Sequence, residues 1–209
     1  MKKIPFLTRQ IALICILAGL SNAAHAKPNN NILYANLGGG CNIGVENLYN
    51  GKLSSDMPLL ATYWTDARPT HTNAGKFYVR FECKDLTISP IEEISRQYGA
   101  RYDDSLSDEW ITYYPSKKDE IALRDFTQIH TLNSKNAKGF YITQDDISGD
   151  PKFRLISLSY CLFHEKVAVC GTWPLARLHD AQRDILLHNS LNILRSVIFL
   201  DPQPTQSGK

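Results

Sequence analysis

Two β-rich runs around a short polar break, each run carrying one cysteine, constrain this chain more than any other feature. The segment Phe153–Trp173 breaks only at His164-Glu165-Lys166, the pattern of a β-hairpin. With Glu165 and Lys166 at the tip, His164 faces Val167 and Cys161 lies directly opposite Cys170. Facing Cβ atoms in an antiparallel ladder are about 4.5–5.5 Å apart, and a non-hydrogen-bonded pair is close enough for a disulfide. The tip lacks the glycine that fixes most two-residue hairpins, so neighbouring registers stay open. In this register Leu158, Tyr160, Leu162, Val167, Val169 and Trp173 share one face, taken as the core face. Ser157, Ser159, Cys161, Ala168, Cys170 and Thr172 share the other.

Five cysteines occur in 209 residues. Cys15 sits in a ten-residue uncharged run, Ile11–Leu20, behind Lys2, Lys3 and Arg9 and ahead of Ala24-His25-Ala26. A basic start, a short apolar stretch and an A-x-A end resemble a bacterial secretory signal peptide, with cleavage expected after Ala26. The run is short for a spanning helix, which needs about 20 residues. Cys15 follows Ile14 inside the apolar run, so it does not resemble a lipid-attachment cysteine. Export would leave four cysteines, an even number in an oxidising compartment. With Cys161 paired to Cys170, elimination pairs Cys41 with Cys83, closing a long loop that restricts the unfolded chain. Structural zinc is disfavoured: no C-x-x-C occurs, and Cys161 with His164 is a lone C-x-x-H.

The sequence divides into a signal peptide 1–26, a flexible polar arm 27–33, one α+β domain over 34–200 and a tail 201–209 expected to be disordered. The expected fold is an antiparallel sheet carrying a C-terminal amphipathic helix and a short helix. Leu59–Thr65 and Lys76–Cys83 read as strands. Ser89, Pro90 and Glu92 resemble a capping box that opens a short helix through Ile94 to Tyr98, with Gly99 after it. Trp110–Tyr114 and Gly139–Thr143 read as strands, and Ile121–Ile129 as a strand or short helix. Leu187, Leu191, Leu194 and Ile198 recur at helical spacing and predict a helix over 178–195. Val197–Leu200 reads as its last turn or as a final strand. Gly38-Gly39-Gly40 matches no phosphate-loop spacing and reads as a turn that positions Cys41.

A hydrophobic fraction of 43% with only 12 Gly and 10 Pro excludes disordered and collagen-like classes. The formal charge of +2 is no nucleic-acid binder's. Loss of Lys2, Lys3 and Arg9 with the leader would turn it to −1. No metalloprotease, nucleophile-elbow or S-x-x-K spacing occurs, and oxidised cysteines supply no thiol nucleophile. The expectation is therefore a non-enzymatic binding protein without cofactor or metal. Asp103, Asp104, Asp108, Trp110 and Tyr114 in one segment, and Asp145 and Asp146 in another, pair acids with aromatics. They are the candidate contacts for a basic protein partner.

The run Gly139-Phe140-Tyr141, the hairpin Leu158–Gly171 and the stretch Ile193–Phe199 resemble the C-terminal half of small PsbP-like α+β domains. They also resemble exported immunity proteins that protect bacteria from periplasmic toxins, type VI secretion effectors among them. The resemblance implies a periplasmic protein that plugs a cognate toxin and has no activity of its own; it assigns no residue roles. Alternatives are an envelope small-ligand or secretion-accessory protein, and a secreted hydrolase with a dispersed site.

Overall fold

The computed structural model describes residues 31–65, 77–105 and 109–201. The leader, residues 27–30 of the arm, His71, Asp108 and residues 202–209 lie outside them. In chain order the strands begin with β1 (Ile32–Asn36), β2 (Asn42–Glu46), β3 (Lys52–Met57), β4 (Leu60–Thr65) and β5 (Phe77–Asp85). Helix α1 (Ile91–Gln97) precedes β6 (Ala100–Asp103) and β7 (Glu109–Thr112). Then come α2 (Lys117–Leu123), β8 (Thr127–Asn133), β9 (Lys138–Asp145), β10 (Leu155–His164) and β11 (Val167–Arg177). Helix α3 (Arg183–Ser196) and β12 (Ile198–Leu200) end the described chain. Strands dominate over helices, and the chain is α+β only in that coarse sense. Strand β1 starts inside the segment expected to be a loose arm.

Seven strands form the central sheet in the order β3-β4-β5-β11-β10-β9-β8, each neighbour antiparallel. A three-stranded sheet β1-β2-β12 and a two-stranded ribbon β6-β7 complete the layers. The expectation of one sheet is thus corrected to three. The hairpin β10–β11 has the register read from the sequence, from Leu158 opposite Trp173 to His164 opposite Val167. Cys161 faces Cys170 at a Cα separation of 4.1 Å and bonds to it. Cys41 bonds to Cys83 across 42 residues. Gly38, Gly39 and Gly40 all have positive φ, a left-handed run that only glycine adopts cheaply; it delivers Cys41 to β5.

The first face of the central sheet carries the main core. Tyr63, Val79, Phe81, Leu158, Tyr160 and Leu162 from the sheet are fully buried with Ile43 and Val45 of β2 and Ile193 and Leu194 of α3. Burying each such side chain contributes about 1.5–3 kcal/mol, so this layer outweighs every polar contact in the molecule. Helix α3 starts five residues later than its leucine spacing predicts. Its inward face is set by Leu186, Leu191, Ile193 and Leu194, with Ile185 exposed and Ile198 already in β12.

The second face is not simply solvent-facing, as hairpin alternation alone implies. Near the hairpin tip Cys161, Ala168 and Cys170 are fully buried with Phe140, Ile142, Ile94 and Ala100. The cover is α1 and the β6-β7 ribbon, which arrive from distant sequence. Helix α1 begins at Ile91 with Pro90 as its cap residue and no side-chain cap. Pro90 is extended, which leaves the Ser89 hydroxyl one residue too far out to reach the first free N–H groups. The capping serine that does act is Ser116, whose hydroxyl accepts from the Asp119 N–H at 3.1 Å and starts α2.

Candidate functional site

Trp110 is a packing residue. It stacks on Phe163 at 5.4 Å and meets Phe140 at 4.9 Å and Tyr102 at 5.1 Å, seating the ribbon on the second face. Asp103 is buried (7% exposed), and one carboxylate oxygen accepts from the Ser105 N–H and hydroxyl. Asp104 is exposed beside it. Asp145 is half-buried at the end of β9, opposite Ile156. Asp146 is exposed, and Ser148 hydrogen bonds hold its carboxyl below the usual range. Trp110 sits over Phe163 at the hairpin tip, whereas Asp145 pairs with Ile156, seven residues along β10. That is about 23 Å at ~3.3 Å per residue. The two acidic segments therefore occupy opposite ends of the sheet and do not make one surface.

The uncovered part of the second face presents a different set. On β5 the residues alternating with buried Val79 and Phe81 are Tyr78 and Arg80, both exposed. Tyr78 pairs with Trp64 and Arg80 with Thr62 on β4; Lys52 on β3 pairs with Trp64. Lys52 Nζ lies over the Trp64 ring at 5.2 Å, a cation–π contact. Neither Lys52 nor Arg80 makes an ion pair among the described residues. Glu82 is neutralised locally: Lys84 Nζ is 2.6 Å away and the Tyr98 hydroxyl donates at 2.9 Å. Burial pushes the Glu82 carboxyl up, but these two hydrogen bonds and the Lys84 and Arg80 charges outweigh it and hold it low. The strip Lys52–Trp64–Tyr78–Arg80 is thus aromatic and net positive.

Beside the strip, across β11, a groove of about 370 Å³ runs between the sheet and the ribbon. Gln144, Ser157, Ser159 and Thr172 line it from the sheet, and Tyr113 and Tyr114 from the ribbon side. Of the described members of the acid–aromatic set expected to bind a partner, Tyr114 alone lines this groove. The Ser159 and Thr172 hydroxyls are hydrogen-bonded to each other across β10 and β11. His164, beside the hairpin tip, stacks on Phe199 at 5.0 Å with Nδ1 2.8 Å from the Asn136 carbonyl oxygen. Among the described residues no group of His, Cys, Asp and Glu side chains converges as a metal site, and no helix is long and apolar enough to cross a membrane.

No protein-family model matches the chain, and no curated protein or solved structure is significantly similar to it.

Proposed function

We propose that this chain is an exported, periplasmic, non-enzymatic binding protein that neutralises a cognate secreted toxin by direct contact. The observation that supports the reading is the strip Lys52–Trp64–Tyr78–Arg80 on a sheet that two disulfides staple. Trp, Tyr and Arg are the residue types that dominate binding energy at protein interfaces, and a rigid sheet loses little entropy on docking. The strip's charge selects an acidic partner surface, opposite to the basic partner that the acidic loops imply. The partner to test is the product of an adjacent gene encoding a secreted toxin. Arg80→Glu is expected to weaken that complex about a hundredfold and to slow association most at low salt. Deletion of the gene is expected to leave cells sensitive to siblings that deliver the toxin. Full resistance after deletion, or binding indifferent to Arg80→Glu and Trp64→Ala together, refutes the assignment.

A further inference from the structure

We propose that the groove between the central sheet and the β6-β7 ribbon is a binding site for a neutral carbohydrate. It is a separate site from the Lys52–Arg80 strip. Its volume, about 370 Å³, falls in the ~300–1,000 Å³ range of small-ligand sites. The lining decides the ligand's chemistry. Among the described residues no carboxylate lines the groove, so it offers no opposite charge to a cation. Among the described residues its one cation is Arg96, and that guanidinium is already paired with Glu92 and lies over the Tyr113 ring at 5.3 Å. An anion would find no unspent charge there.

The sheet side is mixed: Gln144, Ser157, Ser159 and Thr172 surround the apolar Ile142, so a ligand with both hydroxyls and an apolar face fits it better than a purely apolar one. Ser157 donates to the Gln144 carbonyl at 3.2 Å, and Ser159 and Thr172 share one hydrogen bond. Each hydroxyl keeps further donor or acceptor capacity. The Gln144 carboxamide and the Tyr113 and Tyr114 hydroxyls have no hydrogen-bond partner among the described residues. A row of mixed donors and acceptors in a groove that tyrosines also line suits a molecule with hydroxyls around its edge and an apolar C–H face. A sugar ring has that shape, and its C–H face packs on an aromatic ring as other apolar groups do.

The experiment is an NMR titration of the protein with two neutral sugar series, N-acetylglucosamine oligomers and malto-oligosaccharides. Saturable shifts confined to the amides of Gln144, Ser157, Ser159, Thr172, Tyr113 and Tyr114 are expected for at least one series. Ser159→Val with Thr172→Val is expected to weaken that binding about tenfold, the consequence of removing the polar partners. Tyr114→Ala, a change away from the sheet, serves the same purpose should the valine variant fold poorly; unchanged thermal unfolding certifies either variant. Absence of a saturable shift in both series overturns the proposal. So does binding unaffected by either variant, or tighter binding of a neutral tripeptide, which would reassign the groove to peptide. Toxin affinity is read separately through Arg80→Glu, so failure here leaves the partner assignment standing.

Discussion

The Asn136 carboxamide stands in for a neighbouring strand to Phe199: its Nδ2 donates to the Phe199 carbonyl at 2.8 Å and its Oδ1 accepts from the Phe199 N–H at 2.9 Å. Strand β12 is only three residues long and pairs with β2 on its other side. Lys135 N–H to the Val197 carbonyl at 3.1 Å and the His164 ring on Phe199 complete the clamp. Asn136→Ala strands both groups of Phe199, at about 1–3 kcal/mol. For a chain of this size that is a fall in Tm of roughly 2–4 °C per kcal/mol. Hydrogen exchange at the Phe199 amide is expected to quicken in the variant. Unchanged protection of that amide would show that β2 alone holds the strand.

Two glycines are required by close approach rather than by φ. A Cβ on Gly171 would collide with the Arg80 carbonyl oxygen and the Tyr160 ring; one on Gly139 would strike the Cys161 carbonyl oxygen. Tyr160 uses the space over Gly171 to donate its hydroxyl to the Arg80 carbonyl at 2.9 Å, where the pairing of β5 with β11 has ended. Gly171→Ala and Gly139→Ala are each expected to cost about 3 kcal/mol or to prevent folding, since backbone must move. Gly149→Ala is the control. Its φ is positive but nothing lies within 4 Å of the new methyl, so its cost is limited to about 1–2 kcal/mol of backbone strain. Urea unfolding ranks the three; equal losses would sink the close-approach argument.

What the sequence revealed follows the range of the interactions involved. The β10–β11 register, its tip at Glu165 and Lys166 and the Cys161–Cys170 bond are local, and a period of two fixes them within twenty residues. Cys41–Cys83 followed by elimination once that pair was placed. The burial of Cys161, Ala168 and Cys170 was not legible, because the layer over them comes from α1 and β6-β7, whose position depends on non-local packing. The same layer leaves Trp110 partly buried against Phe140 and Phe163. The strip of Trp64, Tyr78 and Arg80 exists only after β4 pairs with β5, across residues 66–76. An alternation of aromatic and basic residues opposite Val79 and Phe81 was the available signal for it. The leucine stripe predicts helix α3 but not its start, since Ala181 continues the stripe while lying in a turn before Arg183.

The Tyr98 hydroxyl donates to Glu82 at 2.9 Å, and this pair is expected to make stability fall at both ends of the pH scale. The Glu82 carboxyl is held below its ordinary 4.5, with the opposing effect of burial overcome by Lys84 and Tyr98. A depressed carboxyl contributes stability above the unfolded value, and that contribution disappears as pH falls through the folded one. The Tyr98 hydroxyl is pushed well above 10.0, first by burial and then by the hydrogen bond and charge of Glu82. A raised phenol contributes stability that is whole below about pH 10 and is lost as pH climbs beyond it. Glu82→Gln removes the acid-side contribution and part of the alkaline one. The gap in Tm between the natural protein and the variant is therefore expected to be largest near neutrality and to narrow below about pH 4.5. In the variant the Tyr98 phenolate is expected to appear at lower pH by absorbance titration. A gap that stays constant from neutrality to pH 2, with an unshifted phenolate titration, would show that the two groups are not coupled.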